Sequence, residues 1–250
     1  RRVLFRSEVL AEKDADSTIY PASMTKMMTA LLAIEANPDL DTPVTLPEEI
    51  FPALQAQNAS LAGFQPGETA TVRDLLYGAM LPSGAECCEA LAREVSGSEE
   101  AFVARMNQKA AELGMTGTHF CNPTGLHEPE HVSTVRDMAR LTEAALQNET
   151  FRKLFTTERY TVPATNCHPQ GFTMHSTLLS QLDGNELHRG RILGGKTGYT
   201  GEAGLCLASL AEVKGREYIL VTAGAGGNHS TAPYHIEDAV TAYRRVSRGS

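Results

Sequence analysis

No apolar run in these 250 residues approaches the ~20 needed to carry a helix across a bilayer. Basic charge is also scarce. Lys and Arg number 22 against 30 Asp and Glu, a formal net charge of −8, and no basic stripe collects along the chain, which argues against a nucleic-acid partner. Cysteine is sparse and irregular: Cys87, Cys88, Cys121, Cys167 and Cys206 make five. An odd count leaves one unpaired in a monomer, and neighbours such as Cys87 and Cys88 seldom bridge each other, so a disulfide scaffold is excluded while the compartment stays open. The opening stretch "RRVLFRSEVL" holds too little apolar sequence for a signal peptide, which leaves either a cytosolic chain or one whose targeting segment has been removed. There is no internal repeat and no low-complexity tract.

What is present is ordinary soluble-protein material, 42% hydrophobic and 21% charged, with length for one large domain or two interleaved ones. Short strands are predicted near Val3–Phe5 and Val9–Ala11. A helical pattern runs from Ser23 to Glu35 and stops at "NPD". Residues 40 to 70 carry Pro43, Pro47, Pro52 and Pro66 and read as loop with short pieces. Helical periodicity returns at Val72–Met80, Glu86–Val95 and Glu99–Leu113, and again in "STVRDMARLTEAAL", where Thr134 and Asp137 stand as in a capping box. Beyond about residue 155 the texture changes. "ERYTVPAT", "GLCLASLAEV" and "REYILVTAGA" read as strands, the last two joined by a hairpin at "KGR", and a helix near Pro233–Val246 closes the chain. Strands at both ends with helices between predict an α/β (α+β) fold. Its antiparallel sheet is drawn from about 1–35 and 155–250, with an all-helical part inserted at about 36–154, and a site in the cleft between.

"HEPEH" at His127–His131 has the letters of a zinc-peptidase motif, whose two histidines must lie one turn apart on a helix. Pro129 lies between them and would break such a helix at a cost of about 3 kcal/mol. The capping signal at Thr134 also sets the next helix start further on. The stretch therefore reads as a loop, and no metal or other cofactor is expected.

Three short stretches carry the chemistry. In "PASMTK", Ser23 and Lys26 stand three apart at the head of an apolar helix. Alone, Ser23 would be an N-cap and Lys26 a solvated side chain. In "LPSGAECCEALARE", Ser83 sits in a Pro/Gly turn before a helix, and alone would also be an N-cap. In "GGKTGYTGEAGLCLAS", Lys196, Thr197 and Gly198 lie in a glycine-dense run that alone would be a turn or bulge. Together and in this order, S-x-x-K, a Ser-Gly turn and K-T-G form the signature of penicillin-binding proteins and class A β-lactamases.

With "YPASMTKMMTALLAIE", "LLYGAMLPSGAE", "LGMTGTHFCNPTGLHEPEHVSTVRDMARL" and "GGKTGYTGEAGLCLAS", the chain resembles the D-alanyl-D-alanine carboxypeptidases of the low-molecular-mass penicillin-binding proteins, serine peptidases of the S11 type. The likeness spans nearly the whole length. It implies a β-lactamase/DD-peptidase-like fold with catalytic Ser23, Lys26 and Ser83, and substrate-binding Lys196, Thr197, Gly198 and Tyr199. It further implies a peptidoglycan stem peptide ending in D-Ala-D-Ala as substrate, β-lactams as acylating inhibitors, and work outside the cytoplasmic membrane of a bacterium. The chemistry agrees. A serine hydroxyl needs a base, and a lysine with its ordinary pKa near 10.4 is less than ~1% neutral at pH 7. Burial and the positive end of a helix lower that pKa; by resemblance Lys196 adds a second nearby cation.

Two features depart from the family. Its middle motif usually reads Ser-x-Asn, whereas here it is Ser83-Gly84-Ala85, so a carboxamide is missing and Glu86 is the neighbouring polar group. Many relatives also carry a C-terminal β-domain and an amphipathic anchor, so peripheral membrane association would come through segments outside "YRRVSRGS" and what precedes it. A class A β-lactamase would need an E-x-x-x-N loop to activate the deacylating water, and "THFCNPTGLHEPEH" has none. A catalytically impaired penicillin- or peptidoglycan-binding protein is the other alternative, prompted by Ala85.

Overall fold

A helix that is apolar all round must be buried all round, and the "KMMTALLAIEA" segment meets that requirement. The computed structural model describes residues 8–183, 187, 189–228 and 230–248. In it a 3-10 turn, Ala22–Thr25, leads into α1 (Lys26–Ala36), which is buried from Lys26 to Ile34. Around it stand α3 (Val72–Met80), α4 (Ala85–Ser96), α5 (Glu99–Glu112), α6 (Val135–Ala145) and α7 (Glu149–Phe155), all of which touch it. Between α1 and α3 lie β1 (Pro43–Thr45), α2 (Ile50–Ala56) and β2 (Thr69–Thr71), with β1 and β2 paired antiparallel. The loop reading of residues 40 to 70 thus resolves into one small hairpin and one short helix.

After α7 come β3 (Arg159–Val162) and β4 (Phe172–His175), a second antiparallel hairpin. The principal sheet follows: β5 (Gly190–Thr200), β6 (Gly204–Val213) and β7 (Arg216–Ala225), antiparallel in the order β5-β6-β7. Helix α8 (Tyr234–Arg248) covers one face, and α6 with the 3-10 turn covers the other. Because strand side chains alternate, β6 serves two cores at once. Cys206, Ala208 and Leu210 join the helical core around α1, while Leu207, Ala211 and Val213 join Ile236, Ala239 and Tyr243 of α8. The two-residue turn Lys214–Gly215, with φ of 52° and 74°, turns β6 into β7 as a hairpin of matching twist.

Local signals were reliable where they were chemical. Thr71 and Thr134 both accept the N–H of the aspartate three residues on, Asp74 and Asp137, at the starts of α3 and α6. The mixed antiparallel architecture agrees with the predicted fold class. Other expectations need correction. Residues 9–11 are not a strand, and Val3–Phe5 lies outside the described residues. The α-helix starts at Lys26 and not at Ser23, whose turn is tighter. The glycine-dense run 194–198 belongs to an 11-residue strand with a bulge between Ile192 and Gly194.

Candidate active site

Within Pro21–Ile34 every residue is buried except Ser23. Its placement in the 3-10 turn matters, since side chains three apart eclipse there rather than staggering by the α-helical offset. The Lys26 Nζ accordingly lies 2.8 Å from the Ser23 Oγ. The same amine donates to the carbonyl oxygen of Thr124 at 2.6 Å. These two partners suit an uncharged amine, which gives one hydrogen to Thr124 and keeps its lone pair for the serine hydroxyl. Lys26 is only 2% exposed, and burial lowers its pKa below the usual lysine range; Glu86 and Glu89 on α4 oppose that shift in part.

The backbone at Ser23 is strained. Ala22, immediately before Ser23, has φ of 47°, a left-handed conformation costing an alanine about 1–2 kcal/mol. Gly125 holds it from the far side: a Cβ there would lie 1.9 Å from the Ala22 carbonyl oxygen. The turn carrying Gly125 is organised by Asn122, whose Oδ1 accepts from the Thr124 N–H, the Thr124 hydroxyl and the Gly125 N–H. Thr29 of α1 donates to the Pro123 carbonyl at 2.6 Å and ties the turn to the helix.

Lys196 and Ser83 meet across the cleft. The Lys196 Nζ donates to the Ser83 Oγ and to the Thr197 carbonyl, both at 2.9 Å. Lys196 is fully buried, so burial lowers its pKa well below the ordinary value, and repulsion from Lys26 lowers it further. Ser83 is not an N-cap. It has φ of 72°, Gly84 takes the cap position of α4, and the hydroxyl is free to face the lysine. Gly198 brings β5 against the Ser23 turn, where a Cβ would come 3.0 Å from the Ser23 backbone nitrogen. Only a bare Cα lets the strand approach the turn this closely. Tyr199 follows Gly198 on that strand.

The structure therefore brings Ser23 and Lys26, Ser83 and Lys196, and Gly198 together where β5, the 3-10 turn and the head of α4 meet, with Thr197 between Lys196 and Gly198 on the strand. The Thr124 carbonyl and Asn122 escaped sequence reading, because a backbone acceptor has no residue type to recognise. Glu86 does not stand in for the missing carboxamide. Its Oε1 accepts the Ala62 and Gly63 N–H groups at 2.6 and 3.1 Å, pinning a neighbouring loop, and burial raises its pKa. The "HEPEH" histidines lie off any helix. His131 is buried, with Nδ1 accepting the Cys121 N–H, so Nε2 carries the proton toward Thr25 at 2.8 Å. Burial holds its pKa down at about 4.

Comparison with known proteins points to one family. The family model for D-alanyl-D-alanine carboxypeptidases, S11 peptidases, matches residues 6–227. The D-alanyl-D-alanine carboxypeptidase DacF of Bacillus subtilis is 38% identical over 226 residues, covering 87% of this chain and 54% of that protein. The chain thus spans about half of that relative's length. The D-alanyl-D-alanine carboxypeptidase of Streptomyces sp. strain K15 is 34% identical over 222 residues, 84% of this chain and 74% of its own. The crystal structure of the Streptomyces K15 DD-transpeptidase superposes with a TM-score of 0.83 at 31% identity, over 95% of this chain and 92% of that one. The D-alanyl-D-alanine carboxypeptidase of Mycobacterium tuberculosis superposes with a TM-score of 0.80 at 28% identity, over 95% and 86%.

Proposed function

Since the chain belongs to the D-alanyl-D-alanine carboxypeptidase family of S11 serine peptidases, we propose that it removes the terminal D-alanine from peptidoglycan stem peptides through an acyl-enzyme on Ser23. The observation that carries this reading is the buried Lys26 amine, 2.8 Å from the one hydroxyl of its turn that reaches the surface.

The Ser23 Oγ–H proton passes to the Lys26 lone pair as the oxygen attacks the carbonyl carbon of the penultimate D-alanine. The charge that develops on the carbonyl oxygen is met by the backbone N–H groups of Ser23 and Tyr199, the latter next to Gly198 on the strand that comes up against the Ser23 turn. As the C–N bond breaks, the proton held by Lys26 returns to the departing amine through the Ser83 hydroxyl. Water then gives a proton to Lys26 as its oxygen attacks the ester carbonyl, and Lys26 passes that proton to the Ser23 Oγ as the acyl–oxygen bond breaks, restoring both groups. Lys196 and Thr197 receive the substrate carboxylate. An arriving carboxylate supplies a counter-charge in the buried setting of Lys196, so binding opposes the downward shift that burial imposes on its pKa. β-Lactams acylate Ser23 by the same route. The substrate sets the workplace outside the cytoplasmic membrane, in the bacterial envelope.

Release of D-alanine from diacetyl-lysyl-D-Ala-D-Ala, abolished in Ser23→Ala, tests the reading. Rapid penicillin turnover without D-alanine release would mark a β-lactamase instead, and neither activity would mark a binding protein.

A further inference from the structure

Thr177 lies outside all three motifs, in the loop after β4, yet its hydroxyl is 2.6 Å from the hydroxyl of Thr197. We propose that Thr177 is a positioning residue that aims the Thr197 hydroxyl at the substrate carboxylate and so sets the preference for a free C-terminal acid. This rests on the assignment of Thr197 to carboxylate binding above.

Each hydroxyl has one proton, and a carboxylate can only accept. Thr197 can donate to the substrate and keep its contact with Thr177 only when Thr177 is the donor between them. A carboxylate therefore selects one orientation of the pair, in which Thr177 donates to Thr197 and Thr197 donates outward. The inner bond then polarises the outer one. An uncharged carboxamide terminus offers an N–H as well as a carbonyl, so it can be met with either orientation and gains nothing from the selection.

Thr177 is also held where this requires. Its backbone N–H donates to the Leu81 carbonyl at 3.1 Å, two residues before Ser83. Its carbonyl accepts from the Gln181 side chain at 2.5 Å. Ser176, just before it, is buried and caps the following turn by accepting the N–H groups of Leu178 and Leu179. One residue thus links the turn bearing Ser83 to the strand bearing Lys196 and Thr197.

The test compares the wild type with Thr177→Val, which keeps the shape and removes the hydroxyl, and with Thr177→Ser, which restores it. Steady-state kinetics are measured on an acylated D-Ala-D-Ala peptide and on the same peptide ending in a carboxamide. On the acid, Thr177→Val should raise KM about five- to tenfold with kcat changed by less than about twofold, the range of a net hydrogen bond. On the carboxamide KM should move less than twofold, and Thr177→Ser should recover the acid. An equal loss on both substrates, or no loss on the acid in an active enzyme, overturns the inference while leaving the proposed function intact. A wild type that releases nothing from the acid overturns the proposed function and this inference with it.

Discussion

Lys26→Met separates what the lysine does for chemistry from what its burial does to the fold. Methionine keeps an unbranched side chain of comparable length and loses the amine. A positioned general base contributes about 10²–10⁴-fold, so at 1.36 kcal/mol per tenfold the acylation barrier should rise by about 3–5 kcal/mol. Timed exposure to ampicillin followed by intact-mass measurement reads that rate on the Ser23 adduct. Stability should move differently. Burial depresses the folded pKa of Lys26, so between that value and ~10.4 the unfolded chain binds a proton that the folded chain does not. Wild-type stability therefore rises with pH through that window and falls as pH drops through it. Methionine removes this dependence but leaves the Thr124 carbonyl without its 2.6 Å donor, a pH-independent loss of about 1–3 kcal/mol. Urea unfolding at several pH values below 10 should show the difference between variant and wild type shifting in the variant's favour as pH falls toward the folded pKa of Lys26. A difference that does not change with pH would mean that Lys26 titrates as a solvated amine. Acylation within tenfold of wild type would mean that it is not the base. Either result refutes the reasoning.

Gly198→Ala should slow acylation by about 10²–10³-fold, the loss typical of one oxyanion donor, because the new Cβ would meet the Ser23 nitrogen at 3.0 Å and the Pro21 carbonyl at 3.2 Å. Stopped-flow acylation with a chromogenic cephalosporin measures it, and a rate within threefold of wild type would dissociate Gly198 from the site. Asn122→Ala removes an oxygen that accepts from the Thr124 N–H, the Thr124 hydroxyl and the Gly125 N–H. It should lower unfolding free energy by about 2–4 kcal/mol on the scale of a broken buried network and slow acylation as well, since the Thr124 carbonyl that orders Lys26 would lose its support. Chemical denaturation together with the ampicillin mass assay checks both effects, and a stable, fully reactive variant would contradict the role of the turn.

Much of this molecule is legible in short windows. The central helix shows as an apolar run, α6 announces itself by the threonine cap at Thr134, and β6 and β7 have the bounds that their β-branched and apolar residues suggest. These signals survive because each depends on contacts within a few residues. The three stretches that meet at the candidate site are legible too, by their order and spacing, since the residue types themselves mark them. Local reading misleads where the cause is distant. Ser83 has the surroundings of an N-cap, yet its left-handed φ turns the hydroxyl to Lys196, 113 residues away. Residues 194–198 look like a turn because glycine is rare inside strands, but at Gly198 the bare backbone is what allows β5 to reach the Ser23 turn.

Which groups the candidate site holds was therefore written into the order of residues: a hydroxyl and an amine three apart, a second serine, and a second lysine. How they are tuned was not. The depressed pKa of Lys26 comes from complete burial, its orientation from a carbonyl 98 positions away, and the strained Ala22 from a glycine that leaves no room on its other side. Desolvation and close backbone contact arise only when remote segments pack, so no local stretch of the chain can encode them by itself.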